Sequence, residues 1–281
     1  MKTTQITIVC ENRAGLPLGI LGEHGFAAHI RHNDETFLLD TGQGMALMPN
    51  ANTLGLDFSR LDHIVISHGH YDHTGGLAHL PPQETETPLH AHPGIFGAKF
   101  LEPAPGRGDL FIGTGITPEE LRERLNIQCD LKADLTEIAP GVWFSGQVPR
   151  TTDFEGPDPE LTLKTETGYE TDLLLDDIAL LFETGSGPVI AAGCAHSGIV
   201  NIMAYFSKAL NLDEFHAVLG GTHLGFSSDP TQLDRTIEAF ERFNVQKIAV
   251  SHCTGNLPAA KLCQHFGSRF AFADAGWQVT F

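Results

Sequence analysis

The stretch Ser67-His68-Gly69-His70-Tyr71-Asp72-His73-Thr74-Gly75-Gly76 places four potential metal ligands, His68, His70, Asp72 and His73, within six positions. Just past a strand, residues two apart point to one side, so His68 and His70 can share one cation while Asp72 and His73 turn towards a second. Imidazole nitrogen and carboxylate oxygen suit zinc, at bond lengths of about 2.0–2.2 Å. A single histidine in an apolar setting is more often a hydrogen-bonded core residue than a ligand. Four coordinating groups this close, bracketed by glycines, resist that reading. Two divalent ions about 3.5–4 Å apart hold a water between them and lower its pKa towards ~7, which supplies a metal-bound hydroxide for attack on a carbonyl or phosphoryl centre.

Such a cluster needs elements to position it. A local pattern recurs along the chain: a short apolar run, then polar or ionisable residues with glycine nearby. Phe37-Leu38-Leu39 leads to Asp40-Thr41-Gly42, and Ile64-Val65-Ile66 leads to Ser67-His68-Gly69-His70. Val189-Ile190-Ala191-Ala192 leads to Gly193-Cys194-Ala195-His196, Ala217-Val218-Leu219 to Gly220-Gly221-Thr222-His223, and Ile248-Ala249-Val250 to Ser251-His252. Runs of this kind read as buried strands. If they end at a common rim, their polar tips converge where open α/β sheets place ligands.

Helices are expected between them. Ile199, Ile202, Met203, Phe206 and Leu210 keep helical spacing, as do Leu233, Ile237, Phe240 and Phe243 after Asp229-Pro230. A third helix is expected from Pro258 through Phe266, and a fourth after Thr117-Pro118, carrying Leu121 and Leu125. Alternating strand and helix predicts an α/β layered fold. Ile6, Ile8 and Val9 alternate with polar residues as a first strand.

The chain has 281 residues, a size that one domain spanning 1–281 accommodates. Two segments, 81–115 and 151–177, look like excursions from the core. The first is rich in Pro and Gly, with Lys99 and Arg107 as its few bases; the second holds nine carboxylates against Lys164. Both read as solvated loops, and long loops beside a site often act as lids. No apolar run approaches the ~20 residues of a membrane span, and the start lacks an export signal, so a cytoplasmic location and no membrane contact are expected. A net charge of −18 repels nucleic acid, whose recognition needs clustered bases, and leaves a small-molecule substrate. The five cysteines form no C-x-x-C pair, and Cys194 and Cys253 read as small buried thiols. Oligomeric state is not legible.

The motif His68-x-His70-x-Asp72-His73 after an apolar strand, preceded by Leu39-Asp40-Thr41-Gly42, resembles the metallo-β-lactamase superfamily. The resemblance covers nearly the whole chain and implies a four-layer αββα sandwich with mixed sheets and a metal site at one edge. It implies that His68, His70 and His196 bind a first ion and that Asp72, His73 and His252 bind a second, with Asp40 orienting the ligand loop. Many members supply a bridging aspartate where this chain reads Gly220-Gly221-Thr222-His223, so His223 is expected as a terminal ligand or a proton donor. Within the superfamily, Glu23-His24-Gly25, Gly193-Cys194-Ala195-His196-Ser197-Gly198, His252-Cys253-Thr254-Gly255 and Ser145-Gly146-Gln147-Val148-Pro149-Arg150 resemble a branch named for dihydropterin-ribofuranosylaminobenzene phosphate synthase. Arg150 and His24 are then candidate substrate contacts. His90 and His92 are further candidates to line the cavity.

The expected activity is a metal-dependent hydrolase, with Zn2+ at one or two sites per chain and Fe, Mn or Ni as other acceptable ions. The metal-bound hydroxide would act on a small ester, thioester, lactam or phosphoester. Asp72 would accept a proton and His223 would protonate the leaving group. The alternative is a pterin-type transferase that releases diphosphate. A flavodiiron-like redox enzyme ranks below both, since those normally carry a carboxylate where His70 stands. A nuclease is disfavoured by charge. A non-catalytic metal or ligand sensor is the remaining class.

Overall fold

A computed structural model describes residues 3–17, 19–101 and 110–281. Arg107, singled out above, lies outside the described residues. Among these residues the strands form two seven-stranded sheets and one four-stranded sheet. The first sheet runs, in spatial order, through Gln278–Thr280, Thr4–Cys10, Ala27–His32, Glu35–Leu39, His63–Val65, Thr87–Ala91 and Ile127–Leu131. The second runs through Phe270–Phe272, Lys247–Val250, Ala217–Gly220, Gly187–Ala192, Ala179–Thr184, Val142–Phe144 and Thr136–Ala139.

Side-chain alternation explains why the two sheets stack. Phe37 and Leu39 face inward and meet Phe182, Val189, Ala191 and Leu219 of the second sheet. Their neighbour Leu38 points the other way, with Ile64 and Leu89, against Leu47, Ala51, Leu121 and Leu125. Ile190, Ala192, Val218, Ile248 and Val250 likewise turn outward onto Ile199, Met203, Phe206, Phe240 and Leu262. The period of two along each strand thus builds three apolar layers, and helices cover both outer faces. This is the αββα sandwich.

The helices are α1 (Leu47–Leu54), α2 (Tyr71–Thr74), α3 (Pro118–Leu125), α4 (Ile199–Leu210), α5 (Gln232–Arg242) and α6 (Asn256–Phe266). The α3 start carries a full capping box: Thr117 Oγ1 accepts from Glu120 N, and the Glu120 carboxylate accepts from Thr117 N. α5 begins two residues later than Asp229-Pro230 suggested, because the Asp229 carboxylate is engaged by the Thr231 backbone in a turn. α1 escaped the sequence reading, since Pro49 and Asn50 look like breakers. Proline costs little in a first turn, and the Asn50 amide is buried, donating to Val9 O and Leu21 O.

Among the described residues, both excursions carry strands rather than solvated loop alone. Thr87–Ala91 is an internal strand paired in parallel with His63–Val65 and Ile127–Leu131. Lys99–Leu101 pairs with Leu161–Thr165, which pairs with Gly168–Thr171, and Leu110–Phe111 closes the small third sheet. Lys99, read as a surface base, is 2% exposed and donates to Asp172 and Asp176 at 2.7 and 2.8 Å. The carboxylates that looked like a solvated face supply its counter-ions. Burial opposes the Lys99 charge, but Asp176 and Asp172 hold its pKa above the ordinary lysine value. No helix among the described residues is long and apolar enough to cross a membrane.

Candidate metal centre

All five predicted strands end at one rim, since Glu35–Leu39 and His63–Val65 run parallel, as do Gly187–Ala192, Ala217–Gly220 and Lys247–Val250. The chain then turns sharply. Asp40, Ala195, His223 and His252 take left-handed backbone conformations, with φ between 50° and 59°. Such conformations are costly for residues with a Cβ and persist only where surroundings impose them. Here they swing each tip into the space between the sheets. Gly193 has no room for a side chain, because a Cβ there would land on the Ser67 hydroxyl and 2.5 Å from Asp40 Oδ2.

Two groups of donors meet at this rim. In the first, His68 Nε2 lies 2.9 Å from His70 Nδ1 and 3.2 Å from His196 Nε2. In the second, His73 Nε2 lies 3.3 Å from His252 Nε2, and Asp72 Oδ2 lies 3.3 Å from His252 Nε2 and 3.9 Å from His73 Nε2. His68 and His73 join the groups, with ring centroids 4.2 Å apart.

The outward ring nitrogens reveal the tautomers. Asp40 Oδ2 accepts from His73 Nδ1 and from Ser67 Oγ, both at 2.7 Å, while Asp40 Oδ1 accepts from Ser67 N. Having donated to Asp40, the Ser67 hydroxyl accepts from His68 Nδ1 at 2.9 Å. Asn12 Oδ1 accepts from His252 Nδ1 at 2.8 Å, and Glu11 Oε1 from His252 N. Each of these three rings therefore keeps a proton on Nδ1 and turns its Nε2 inward, where a cation could take the lone pair. His68 and His196 bring their Nε2 atoms within 3.2 Å, and His73 and His252 within 3.3 Å, a spacing at which one cation can take both nitrogens of a pair. Two donors on one tetrahedral zinc stand about 3.3 Å apart, so the residues fit such an ion.

The electrostatics agree. Burial, then the neighbouring rings, holds His68 and His196 well below the ordinary histidine pKa. Burial lowers His70 to about 3. These rings stay neutral and available as donors. Burial works against charge on His73 as well, but Asp40 and Asp72 overcome it and raise it to about 9, so this position welcomes positive charge. His70 Nε2 and His196 Nδ1 are buried with no hydrogen-bond partner.

His223 stands beside the first group, its ring centroid 4.2 Å from that of His196. Its Nε2 lies 3.7 Å from Asp158 Oδ2. Burial opposes its charge, but the nearby Asp158 carboxylate, with Cys253, outweighs burial and raises it to about 9. His24 is half exposed at the mouth, with Nε2 3.2 Å from Asp72 Oδ2, and so touches a proposed ligand directly. Arg150 has a different place from the one expected: its guanidinium donates to His196 O at 3.1 Å, which holds the main chain of that ligand loop. His90 and His92 do not reach the centre. His90 lies 3.0 Å from His63 and 2.9 Å from Asp130, and His92 Nδ1 accepts from Gly94 N.

A cavity of about 280 Å³ opens onto both groups. Its polar lining includes His70, Asp72, His196, His223 and His252, and its apolar wall includes Leu101, Leu110, Leu161 and Phe226. The small third sheet thus supplies much of that wall. Asp176 couples this sheet to the ligand loop, since one oxygen accepts from Lys99 and the other from Gly69 N at 2.8 Å. Sequence reasoning missed Asp158, Asp176, Asn12 and Glu11, whose partners are distant in the chain. It read Cys194 as a small buried thiol, which the structure places in donor groups with His68 and His196 and with His73 and His252.

Comparison with known proteins agrees with this geometry. The metallo-beta-lactamase superfamily pattern matches residues 22–252. A curated protein of Methanocaldococcus jannaschii, 7,8-dihydropterin-6-methyl-4-(beta-D-ribofuranosyl)-aminobenzene-5'-phosphate synthase, is 30% identical over 99% of this chain and 96% of its own. An uncharacterized protein of the same organism is 32% identical over 86% of this chain and 88% of its own. Among solved structures, a metal-dependent hydrolase of the beta-lactamase superfamily superposes with a TM-score of 0.83 at 24% identity, over 98% of each chain. The rim of facing imidazoles between two stacked sheets and the match over residues 22–252 lead to one assignment: the chain belongs to the metallo-beta-lactamase superfamily.

Proposed function

We propose that the protein is a metal-dependent hydrolase of small ester, thioester, lactam or phosphoester substrates, with zinc as its leading metal. The observation that carries this reading is the pair of donor groups, His68–His70–His196 and Asp72–His73–His252, opening onto one cavity. Bound divalent ions would supply Lewis acidity and an activated water at that point. The chain's own residues supply the rest. His223, protonated at neutral pH by its partnership with Asp158, faces the cavity and can give a proton to a leaving group. Asp72 Oδ2, 3.2 Å from His24 Nε2 and 3.3 Å from His252 Nε2, is the acceptor for a proton leaving the nucleophile. Leu101, Leu110, Leu161 and Phe226 seat the apolar part of the substrate and exclude water.

A second reading is favoured by one comparison. The 30% identical relative spans nearly the whole chain, and its name is that of a synthase. In a pterin-type transferase the same centre would hold a departing diphosphate. The deciding experiment loads purified protein with zinc and offers two reaction mixtures. One is a panel of esters, thioesters, lactams and phosphoesters. The other is a dihydropterin diphosphate with an aminobenzene ribose phosphate. Hydrolysis in the first without coupling in the second supports the hydrolase. A coupled product with diphosphate release replaces it with the transferase.

A further inference from the structure

The two donor groups have an unequal inventory. Each ring described above belongs to one group, yet one side chain belongs to both. Cys194 Sγ lies 3.1 Å from His73 Nε2, and it falls within 4.8 Å of the donor atoms of His68 and His196 as well as those of His73 and His252. The thiol is 3% exposed and sits between the rings. At Gly221, a Cβ would meet Cys253 Sγ at 2.5 Å and Cys194 Cα at 3.1 Å, so the cysteines already fill the space that a side chain there would enter.

Among the candidate donor groups, Cys253 joins only the one that it forms with Cys194 and His223. Cys253 Sγ donates to Cys194 O at 3.3 Å and accepts from His223 N at 3.3 Å, which ties two strand tips together. Cys194 Sγ is directed at a ligand nitrogen instead. A thiol this close to a ligand nitrogen is placed for its thiolate to join a cation's donor set, losing its proton as the ion enters.

We propose that Cys194 is a metal ligand shared by the two cation positions, its sulfur doing the joining that a bridging carboxylate would otherwise do. The inference rests on the metal-centre reading above. It also implies a preference: a soft sulfur donor among imidazoles selects zinc, iron or cobalt over magnesium or calcium.

The test is X-ray absorption at the metal edge of zinc-loaded wild type, Cys194→Ser and Cys253→Ser, with a cobalt-loaded set read for the near-ultraviolet sulfur-to-cobalt band. The expected result is a sulfur neighbour at about 2.3 Å and a charge-transfer band in the wild type, both kept in Cys253→Ser and both lost in Cys194→Ser. Chelator competition is expected to show affinity for the weaker-bound ion reduced about 10–100-fold or more in Cys194→Ser, since even loss of an outer partner costs that much. Metal-loaded wild type with only nitrogen and oxygen neighbours overturns the sulfur proposal and leaves the metal centre standing. A band that survives in Cys194→Ser overturns it too. Wild type that takes up no zinc or cobalt overturns the metal-centre reading and this inference together. Should Cys194→Ser fold poorly, Cys253→Ser still decides: loss of the sulfur neighbour and the band in that variant overturns the proposal, and their retention supports it.

Discussion

Asp40 Oδ2 lies 2.7 Å from His73 Nδ1, and the same oxygen accepts the Ser67 hydroxyl at 2.7 Å. One buried carboxylate therefore sets the tautomer of two rings, His73 directly and His68 through Ser67. Asp40→Asn puts an amide N–H against at least one of these donors. We expect zinc affinity to fall about 10–100-fold, the usual cost of losing an outer partner. Chelator competition on the folded variant measures it; unchanged affinity would sink the orienting role.

Lys99 is 2% exposed between Asp172 and Asp176. Lys99→Ala leaves two carboxylates buried without their cation, an error that costs about 3–5 kcal/mol in comparable buried pairs. Urea denaturation is expected to show that loss, and the triple variant with Asp172→Asn and Asp176→Asn to recover part of it. A drop below about 0.5 kcal/mol would mean that water reaches the three groups.

The pairing of His223 with Asp158 makes a pH-dependent prediction for metal-free protein. The folded state holds the His223 proton to about 9, against ~6.5 for a free histidine. A raised folded pKa contributes stability that is whole below about 6.5 and fades as pH climbs through about 9. Asp158→Asn should thus destabilise by about 1 kcal/mol near pH 6 and by almost nothing above pH ~10. Denaturation midpoints of both proteins across that range, in chelator, give the answer. A gap that widens with pH would contradict the assignment.

The Thr117–Glu120 capping box, exposed at the start of α3, offers a control. Thr117→Ala is expected to cost about 1 kcal/mol of folding stability while metal binding and any turnover stay at wild-type values. Thermal melting and metal titration of one sample check both halves.

The legible parts of this chain were those written locally. Residues 67–76 carry their ligands side by side, and the runs at 189–192 and 248–250 announce strands whose tips bear His196 and His252. Helix α3 could be placed from Thr117-Pro118 because caps are short-range. Partnerships across the chain were not legible. Asp158 meets His223 across 65 positions, and Lys99 meets Asp172 across 73, so an acidic stretch read as a solvated loop turned out to be counter-ions and wall. Cys194 looked like an inert core thiol because its setting is made by four separate strand tips. Pro88 and its neighbours argued for a loop, yet Thr87–Ala91 is an inner strand whose burial overrides the local composition.

The left-handed turns at Asp40, Ala195, His223 and His252 have a consequence for how cations come and go. The chain itself holds these bends, Asp40 through Ser67 and His73, and His252 through Glu11 and Asn12, so the seats are carved before any guest arrives. Stripping the ions should leave a cooperatively melting protein, unlike small zinc modules that collapse without metal. Added cation should lift the melting temperature only as mass action dictates, rising with the logarithm of its free concentration. A scaffold of that kind can exchange one divalent guest for another without refolding.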